Sequence, residues 1–392
     1  MNRPMNRIRL TAKDVQVGDS LPYAVYDALG MLMLREGCVI GSEKQLKSLL
    51  SKGMYIQRPS RGRRFVNTQA SAEERPDVGE VRVYRRMDEF RFRVRVLLKR
   101  ISATQQEHPG VIQSIYNMAQ ELHDICVNYQ DIAVLAVHLF YHDDYLADHP
   151  LHAAILGDII ATQLGMADEQ RLSLVCAALT HDVGLVPVMS QLARPEELDE
   201  TQNKLVKEHP QVGVAMLRTL GVSDSVWLQA VEQHHERIDG SGYPQGLANG
   251  EISQCGKILM AADVYSALVR NRPYRSEVFK RNALNTILQL SNAAQLDRQV
   301  GKTLIKIIGL YPPGTLVRLE DERIAISIAR GISVYKPELM VIGNKLGNPL
   351  PQVHPVGAEA IVHEVSPSKY RGLYPLVEKL MDPMQRKKLT VT

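Results

Sequence analysis

The sequence predicts a mainly α-helical protein: a helical bundle with a small α/β unit on its N-terminal side and a short β appendage towards the C-terminus. Three observations carry this. Between about Ile112 and Ile308 apolar residues recur at helical spacing, with little alternation of period two; Leu172, Val175, Cys176 and Leu179 mark one face, Val212, Met216 and Leu217 another, and Leu284, Ile287 and Leu288 a third. Before that region, from Pro59 to Val81, periodicity is lost and Ser, Gly, Pro, Glu and Arg accumulate as in a linker. After it, Tyr311-Pro312-Pro313-Gly314 interrupts the chain, and Leu316 to Leu319 and Ile324 to Ile328 alternate like the arms of a hairpin.

In chain order, Leu21 to Tyr26 and Met31 to Leu34 are short apolar runs separated by Asp27-Ala28-Leu29-Gly30, which predicts a first hairpin. Ser42 then caps a helix, with Gln45 three residues later as in a capping box, Leu46, Leu49 and Leu50 as the apolar stripe, and Gly53 as the stop. This α/β unit is assigned residues 1–58, and the linker 59–81. Arg61, Arg63 and Arg64 within the linker read as a solvated basic stretch. Residues 82–310 open with an amphipathic lead-in helix, Arg82 to Arg100, whose apolar residues are Val94, Leu97 and Leu98, and continue as the helical region. The β appendage takes 311–346. Beyond Gly347 proline and glycine increase again, so 347–392 is expected to be a loosely held tail with one short helix near Leu376.

Basic and acidic residues number 47 and 43, a surplus of +4 that is too small to argue by itself for DNA binding or membrane adhesion, so any anion site must be local. The four cysteines, Cys38, Cys126, Cys176 and Cys255, form no C-x-x-C pair, which argues against a disulfide framework or a zinc ribbon and fits a reducing compartment. No run of about eighteen uncharged apolar residues occurs, so no membrane insertion is expected and the cytoplasm is the expected location.

The informative residues lie in the helical region. His149 heads a predicted helix, and His181-Asp182 closes the apolar helix Leu172 to Leu179. His209-Pro210 stands just ahead of another helix, His234-His235-Glu236 ends the helix that begins near Ser225, and Asp263 interrupts the apolar run Met260 to Val264. A histidine near a helix end is more often a cap or a satisfied surface group than a ligand. His108, His123, His138, His142, His152, His354 and His363 stand alone and read that way. Joint occurrence changes the reading of the others. A carboxylate such as Asp182 or Asp263 at an apolar helix needs a compensating charge, since burying it unpaired is very costly, and a metal supplies that charge. Imidazoles and carboxylates without thiolate suit Fe, Mn or Zn. Five histidines and two aspartates exceed the needs of one ion. A pair of divalent metals bridged by one carboxylate would activate a water between them and clamp the oxygens of an in-line displacement, which makes phosphoester hydrolysis the expected reaction class.

Two further segments stand near these residues. Asp239-Gly240-Ser241-Gly242-Tyr243-Pro244 reads as a turn, but its place beside the paired histidines would let Gly242, Tyr243 and Pro244 line a substrate cleft. Arg272-Pro273-Tyr274-Arg275 reads either as a solvated loop or as a pair of guanidinium groups that hold phosphate oxygens.

Together, His181-Asp182-x-Gly184, His209-Pro210-x-x-Gly213, His234-His235-Glu236-Arg237-x-Asp239-Gly240-Ser241-Gly242-Tyr243-Pro244, Ala262-Asp263-Val264-Tyr265 and Arg272-Pro273-Tyr274-Arg275 resemble the HD-GYP subgroup of HD-domain phosphohydrolases, over about half the chain. The resemblance implies an HD-type helical bundle that holds two or three metals, commonly iron or manganese, and hydrolyses cyclic di-GMP to pGpG and often on to GMP. It places metal ligands at His149, His181, Asp182, His209, His234, His235 and Asp263, with His181 and Asp182 catalytic and Asp182 the bridge. It chooses His149 over His152 because Tyr145 meets the family's tyrosine-then-histidine spacing. Tyr145 also stands where trinuclear members carry glutamate, which favours two metals. Arg272 and Arg275 match positions that grip phosphate.

One departure concerns Leu185, where the family usually has a lysine thought to contact the scissile phosphate. Loss of that cation implies slower turnover or an altered substrate pose. It motivates an alternative, a catalytically weak receptor for the dinucleotide or a docking module for a GGDEF or PilZ partner; a third reading is hydrolysis of another cyclic dinucleotide or phosphoester. The N-terminal unit, with Gly18-Asp19 and Leu29-Gly30-Met31-Leu32, resembles a small domain often found ahead of HD-GYP modules, and sensing, homodimer formation and partner docking all stay open for it.

Overall fold

The computed structural model describes residues 7–10, 17–18, 25–26, 32–34, 38–52, 54–57, 80–139, 145–189, 199–269 and 280–380. The chain divides into two compact units, Met1–Arg75 and Pro76–Thr392. In the first, strands β1 (Arg7–Leu10), β2 (Val25–Tyr26), β3 (Leu32–Leu34) and β4 (Met54–Gln57) form an antiparallel sheet in the order β1-β4-β2-β3, and helix α1 (Glu43–Lys52) precedes β4. The expected hairpin is β2 with β3, Val25 opposite Leu34. Ser42 caps α1 by accepting the Gln45 amide at 3.2 Å, while the Gln45 side chain reaches back to the Gly41 amide at 2.8 Å, one residue before the cap. The predicted stop at Gly53 lies outside the described residues. Sequence reading missed β1 and β4, because each is only four residues long and is defined by pairing with the other, Arg7 opposite Gln57.

The second unit opens with a helical bundle: α2 (Glu80–Ala103), α3 (Pro109–Asn128), α4 (Gln130–Leu139), α5 (Tyr145–Gln163), α6 (Asp168–Thr180), a 3₁₀ segment (Val183–Val188), α7 (Glu200–Leu220), α8 (Ser225–Gln233), α9 (Gln254–Val269), α10 (Lys280–Asn292) and α11 (Arg298–Ile308). Helix α5 is its axis: every residue from Ala147 to Ala161 is buried, as expected of a helix apolar on all sides, and α2, α6 and α9 pack around it. The stretch Asp168–Val188 is long and apolar enough to span a membrane by length and composition, but 72% of that window is buried in this core. In this bundle the starts of α7, α8 and α11 carry side-chain caps. Asp199 and Gln202 form a capping box on α7, and Asp224 accepts the Val226 and Trp227 amides at the start of α8.

Three sequence expectations are corrected in the bundle. Val212 is 41% exposed and Leu288 47% exposed. The buried face of α7 is instead His209, Gly213, Val214, Leu217 and Leu220, and that of α10 is Ala283, Leu284 and Ile287. His209-Pro210 does not precede its helix but lies inside α7. A proline usually ends a helix because it lacks an amide donor and crowds the preceding turn; here the site described below makes use of the missing donor.

The chain then forms a five-stranded antiparallel sheet from β5 (Leu316–Leu319), β6 (Ile324–Ser333), β7 (Lys336–Gly343), β8 (Pro349–Val356) and β9 (Ile361–Glu364), in the order β8-β7-β6-β5-β9, followed by α12 (Tyr374–Leu380). The predicted hairpin is β5 with β6, Leu316 opposite Ile326. Residues 347–380 are therefore not a loose tail: they supply both edge strands and a closing helix. Proline content misled the reading, since an edge strand tolerates proline where a central strand does not, and β8 carries Pro349, Pro351 and Pro355 with only Val353 fully buried. The sheet meets the bundle at α4, where Leu135 is buried in the sheet's core beside Leu316, Ile326 and Val353, and Arg330 pairs with Asp131 at 2.6 Å. Leu135→Ala should lower unfolding stability by about 2–5 kcal/mol. Arg330→Ala, at a pair about one-third exposed, should cost no more than about 1 kcal/mol. Urea unfolding of the two variants checks the ranking.

Candidate metal centre

Five helices deliver the predicted ligands to one point. His149 comes from the first turns of α5; His181 is the C-cap of α6 and Asp182 follows it; His209 lies on α7; His234 is the C-cap of α8 and His235 follows it; Asp263 lies on α9. The 3₁₀ segment after Asp182 lies directly on α7, and only glycine fits there: a Cβ at Gly184 would stand 2.2 Å from the His209 carbonyl oxygen.

Three imidazoles are held in the same way. Nδ1 of His181, His209 and His234 lies 2.7, 2.6 and 2.6 Å from the backbone carbonyl three residues earlier, of Ala178, Val206 and Val231. A carbonyl only accepts, so Nδ1 carries the proton and donates, which leaves Nε2 as the nitrogen aimed into the centre. At His181 and His234 the accepting carbonyl is in the last turn of a helix, where no following amide reaches it. At His209 the carbonyl of Val206 is the one that the residue at 210 would ordinarily bond, and Pro210 has no N–H. Nδ1 of His149 lies 2.7 Å from the Ser266 hydroxyl, and its Nε2 2.7 Å from Asp263 Oδ1.

The Nε2 atoms then face one another and two carboxylates. His209 Nε2 and His234 Nε2 are 3.1 Å apart. With both protons on Nδ1 this is a pair of lone pairs, which a cation between them would satisfy and a hydrogen bond would not. His181 Nε2 is fully buried and has no hydrogen-bond partner. Asp182 stands between the two sets: Oδ1 is 3.6 Å from His181 Nε2 and 3.5 Å from His209 Nε2, and Oδ2 is 3.8 Å from His149 Nε2. Asp263 Oδ2 lies 3.8 Å from His235 Nδ1. Two groups result, His209 with His234 and His235, and His149 with His181 and Asp182; within each, all the donor atoms lie within 4.8 Å of one another. An orphaned buried nitrogen, facing lone pairs and a donor set of imidazole and carboxylate fit divalent metal.

Charge follows the same division. Burial holds the His209 and His234 pKa values down and pushes His235 to about 4. Burial also opposes protonation of His181, but Asp182 and Asp263 outweigh it and lift that group to about 9. Both carboxyls are pulled below the usual carboxylate range: burial works against this, and His181 and His149 overcome it at Asp182, His149 and His181 at Asp263. Ionised carboxylates and mostly neutral imidazoles are the state in which metal ligands act.

The cluster opens at one edge. The His235 side chain is 24% exposed, against 9% or less for Asp263, Asp182, His149, His181 and His209. At this edge stands the loop with Gly242, Tyr243 and Pro244. The Tyr243 ring stacks on His235 at 4.7 Å, and a Cβ at Gly242 would lie 2.5 Å from the Glu236 Cα. Leu185 is buried. Arg272 and Arg275 lie outside the described residues. Of the alternatives, His152 is buried but belongs to neither group, and His138 bonds the Tyr265 hydroxyl at 2.9 Å.

Sequence reading named Tyr145 and Glu236 but gave them no part in holding the ligands, and it missed Ser266 and Arg91. The Tyr145 hydroxyl donates to Asp182 Oδ2 at 2.8 Å, and its ring stacks on His149. Ser266 meets His149, Arg91 pairs with Asp148, and Glu236 binds the loop amides of Gln245 and Leu247. A local signal existed for Tyr145, four residues before His149, and for Ser266, three after Asp263, since both spacings put two residues on one helical face. Arg91 has no such signal, being 57 residues from its partner.

Residues 139–300, less than half of the chain, match the family model described as the HD domain, to which this segment is similar. The chain is similar to cyclic di-GMP phosphodiesterase PA4108 of Pseudomonas aeruginosa, 30% identical over 259 residues, which are 65% of this chain and 57% of that protein. It is also similar to 3'3'-cGAMP-specific phosphodiesterase 3 of Vibrio cholerae, 34% identical over 43% of this chain and 36% of that protein. The matches thus span about half of these curated relatives or less. Among solved structures, Bd1817, a HDG"Y"P protein from Bdellovibrio bacteriovorus, superposes on 76% of this chain and 98% of its own with a TM-score of 0.50 at 17% identity, a likeness of fold.

Pro210→Ala restores an amide that competes with His209 Nδ1 for the Val206 carbonyl. It should leave the helix at least as stable and weaken metal binding about tenfold or more, the usual scale for losing a hydrogen bond that orients a ligand. Titration against a chromogenic chelator measures it.

Proposed function

We propose that this chain is a metal-dependent phosphodiesterase that hydrolyses cyclic di-GMP to pGpG, GMP or both. The observation that carries the reading is the convergence of six buried or half-buried nitrogen and oxygen ligands into two adjoining groups, with Asp182 of one reaching His209 of the other and Asp263 touching His149 and His235. His149, His181, Asp182, His209, His234, His235 and Asp263 would hold two divalent ions; the donors suit Fe, Mn or Zn, and the resemblance to the HD-GYP subgroup favours Fe or Mn. Bound there, such ions supply Lewis-acid stabilisation of phosphoryl oxygens and a water acidic enough to attack at neutral pH.

The protein's own residues do the rest. Carbonyl-bound Nδ1 protons fix three imidazoles so that no reorientation is needed when charge develops. The Tyr145 hydroxyl holds the outer oxygen of Asp182 and keeps that carboxylate between the two groups. The partly exposed His235 edge is the side from which a dinucleotide reaches the centre, with the Tyr243 ring as part of its wall. Arg272 and Arg275 are assigned the phosphate contacts of the family pattern.

A second reading is supported by Leu185. It is buried three residues after Asp182 and offers no cation to a scissile phosphate, which suits a slow enzyme or a dinucleotide receptor that docks a GGDEF or PilZ partner. Similarity to a cGAMP-specific phosphodiesterase keeps the choice of dinucleotide open to test.

Loaded with Mn(II) or Fe(II), the protein should linearise cyclic di-GMP, and chelation or Asp182→Ala should abolish turnover. Metal analysis with nucleotide chromatography on a panel of cyclic di-GMP, 3'3'-cGAMP and cyclic di-AMP reads this directly. A metal-loaded protein that turns over none of them defeats the proposal. Leu185→Lys should raise kcat if the position limits the rate; a gain of about 100-fold or more, the scale of a transition-state donor, favours the receptor reading for the natural chain.

A further inference from the structure

The geometry points to Glu236 as the positioning residue for substrate binding: it acts through the 239–247 loop and touches neither metal ligand atoms nor substrate. The inference rests on the phosphodiesterase reading above and goes beyond it by naming what sets the shape of the open edge.

Glu236 is 1% exposed, and no ion pair to it occurs among the described residues. Its two carboxylate oxygens each accept a backbone amide from the far side of the loop, Oε1 from Gln245 at 2.7 Å and Oε2 from Leu247 at 2.9 Å. A carboxylate so deeply buried is tolerated because both oxygens receive donors. The contacts close the loop back on its own starting point. Between them the chain passes so near to Glu236 that residue 242 has no room for a side chain. The Tyr243 amide donates to the His235 carbonyl at 3.2 Å, and its ring lies on the His235 imidazole. Further round, Asp239 Oδ1 accepts the Ser241 amide and hydroxyl at 3.0 and 2.6 Å.

The loop is therefore tethered at its start by Asp239, at its middle by the Tyr243 amide and at its far end by the buried pair of amides on Glu236. His235 is the half-exposed ligand, and Tyr243 covers it, so the position of Tyr243 decides how wide the centre opens. Releasing Glu236 frees Gln245 and Leu247 and lets the segment that carries Tyr243 move, while His149, His181, His209 and His234 keep orienting contacts that do not involve the loop. A role of this kind changes substrate affinity more than turnover. A merely structural role changes metal content and turnover together.

The test compares full-length wild type, Glu236→Gln and Glu236→Ala, each loaded with Mn(II). In Glu236→Ala the amides of Gln245 and Leu247 should lose protection in hydrogen exchange, metal content should stay that of wild type, and KM for cyclic di-GMP should rise about tenfold or more while kcat changes far less, the scale expected for losing a charge-assisted hydrogen bond. Glu236→Gln should fall between the two, since its amide oxygen accepts one donor and its NH₂ group accepts none. Unchanged exchange at Gln245 and Leu247, an unchanged KM, or a fall in kcat that tracks lost metal overturns the inference. Should Glu236→Ala fail to fold, Glu236→Gln carries the same comparison. If wild type binds cyclic di-GMP without turnover, the phosphodiesterase reading fails by itself and calorimetric Kd takes the place of KM; if wild type does not bind it at all, the inference falls as well.

Discussion

The structure depends on helix carbonyls that find no amide. A helix leaves its last carbonyls without partners, and a proline inside a helix frees one more. In this bundle those carbonyls, of Ala178, Val231 and Val206, accept the Nδ1 protons of His181, His234 and His209. One device thus satisfies the backbone, fixes the tautomer and aims Nε2 inward. It explains why two of the three histidines sit at helix ends, and why the third stands directly before Pro210.

Concentrating these groups in a dry core is costly unless charge is balanced. Asp182 and Asp263 are buried among histidines whose own protonation burial mostly opposes, and the orphaned Nε2 of His181 and the facing Nε2 atoms of His209 and His234 have no hydrogen-bonding solution. Cation binding resolves all of these together, which couples metal binding to the stability of the centre of the bundle. The surrounding helices supply the rigidity that such a centre needs: α5 is buried through fifteen consecutive residues, from Ala147 to Ala161, and Arg91 on α2 pairs with Asp148 beside His149.

The other elements stand in different relations to the centre. The C-terminal sheet is joined to the bundle through α4, whose Leu135 completes the sheet's core and whose His138 bonds Tyr265, two residues from Asp263. The N-terminal sheet is a separate compact unit with its own pairings.

The sequence by itself determined the helical region and the place of the tyrosine loop, because helical periodicity and turn residues are local properties that a single segment displays; the seven ligand candidates came from the joint occurrence of histidines and aspartates together with the family resemblance. It also determined the helix caps at Ser42 and the hairpin of β5 with β6, whose signals lie within a few residues of each other. Only the tertiary structure decided which face of α7 is buried, since Val212 and Val214 are equally apolar and packing alone separates them. It alone joined β1 to β4, turned the proline-rich residues after Gly347 into sheet edges, and brought Arg91, Tyr145, Ser266 and Glu236 to the residues they hold. Such contacts depend on the path of the chain in three dimensions, and except where two residues share a helical face no spacing records them.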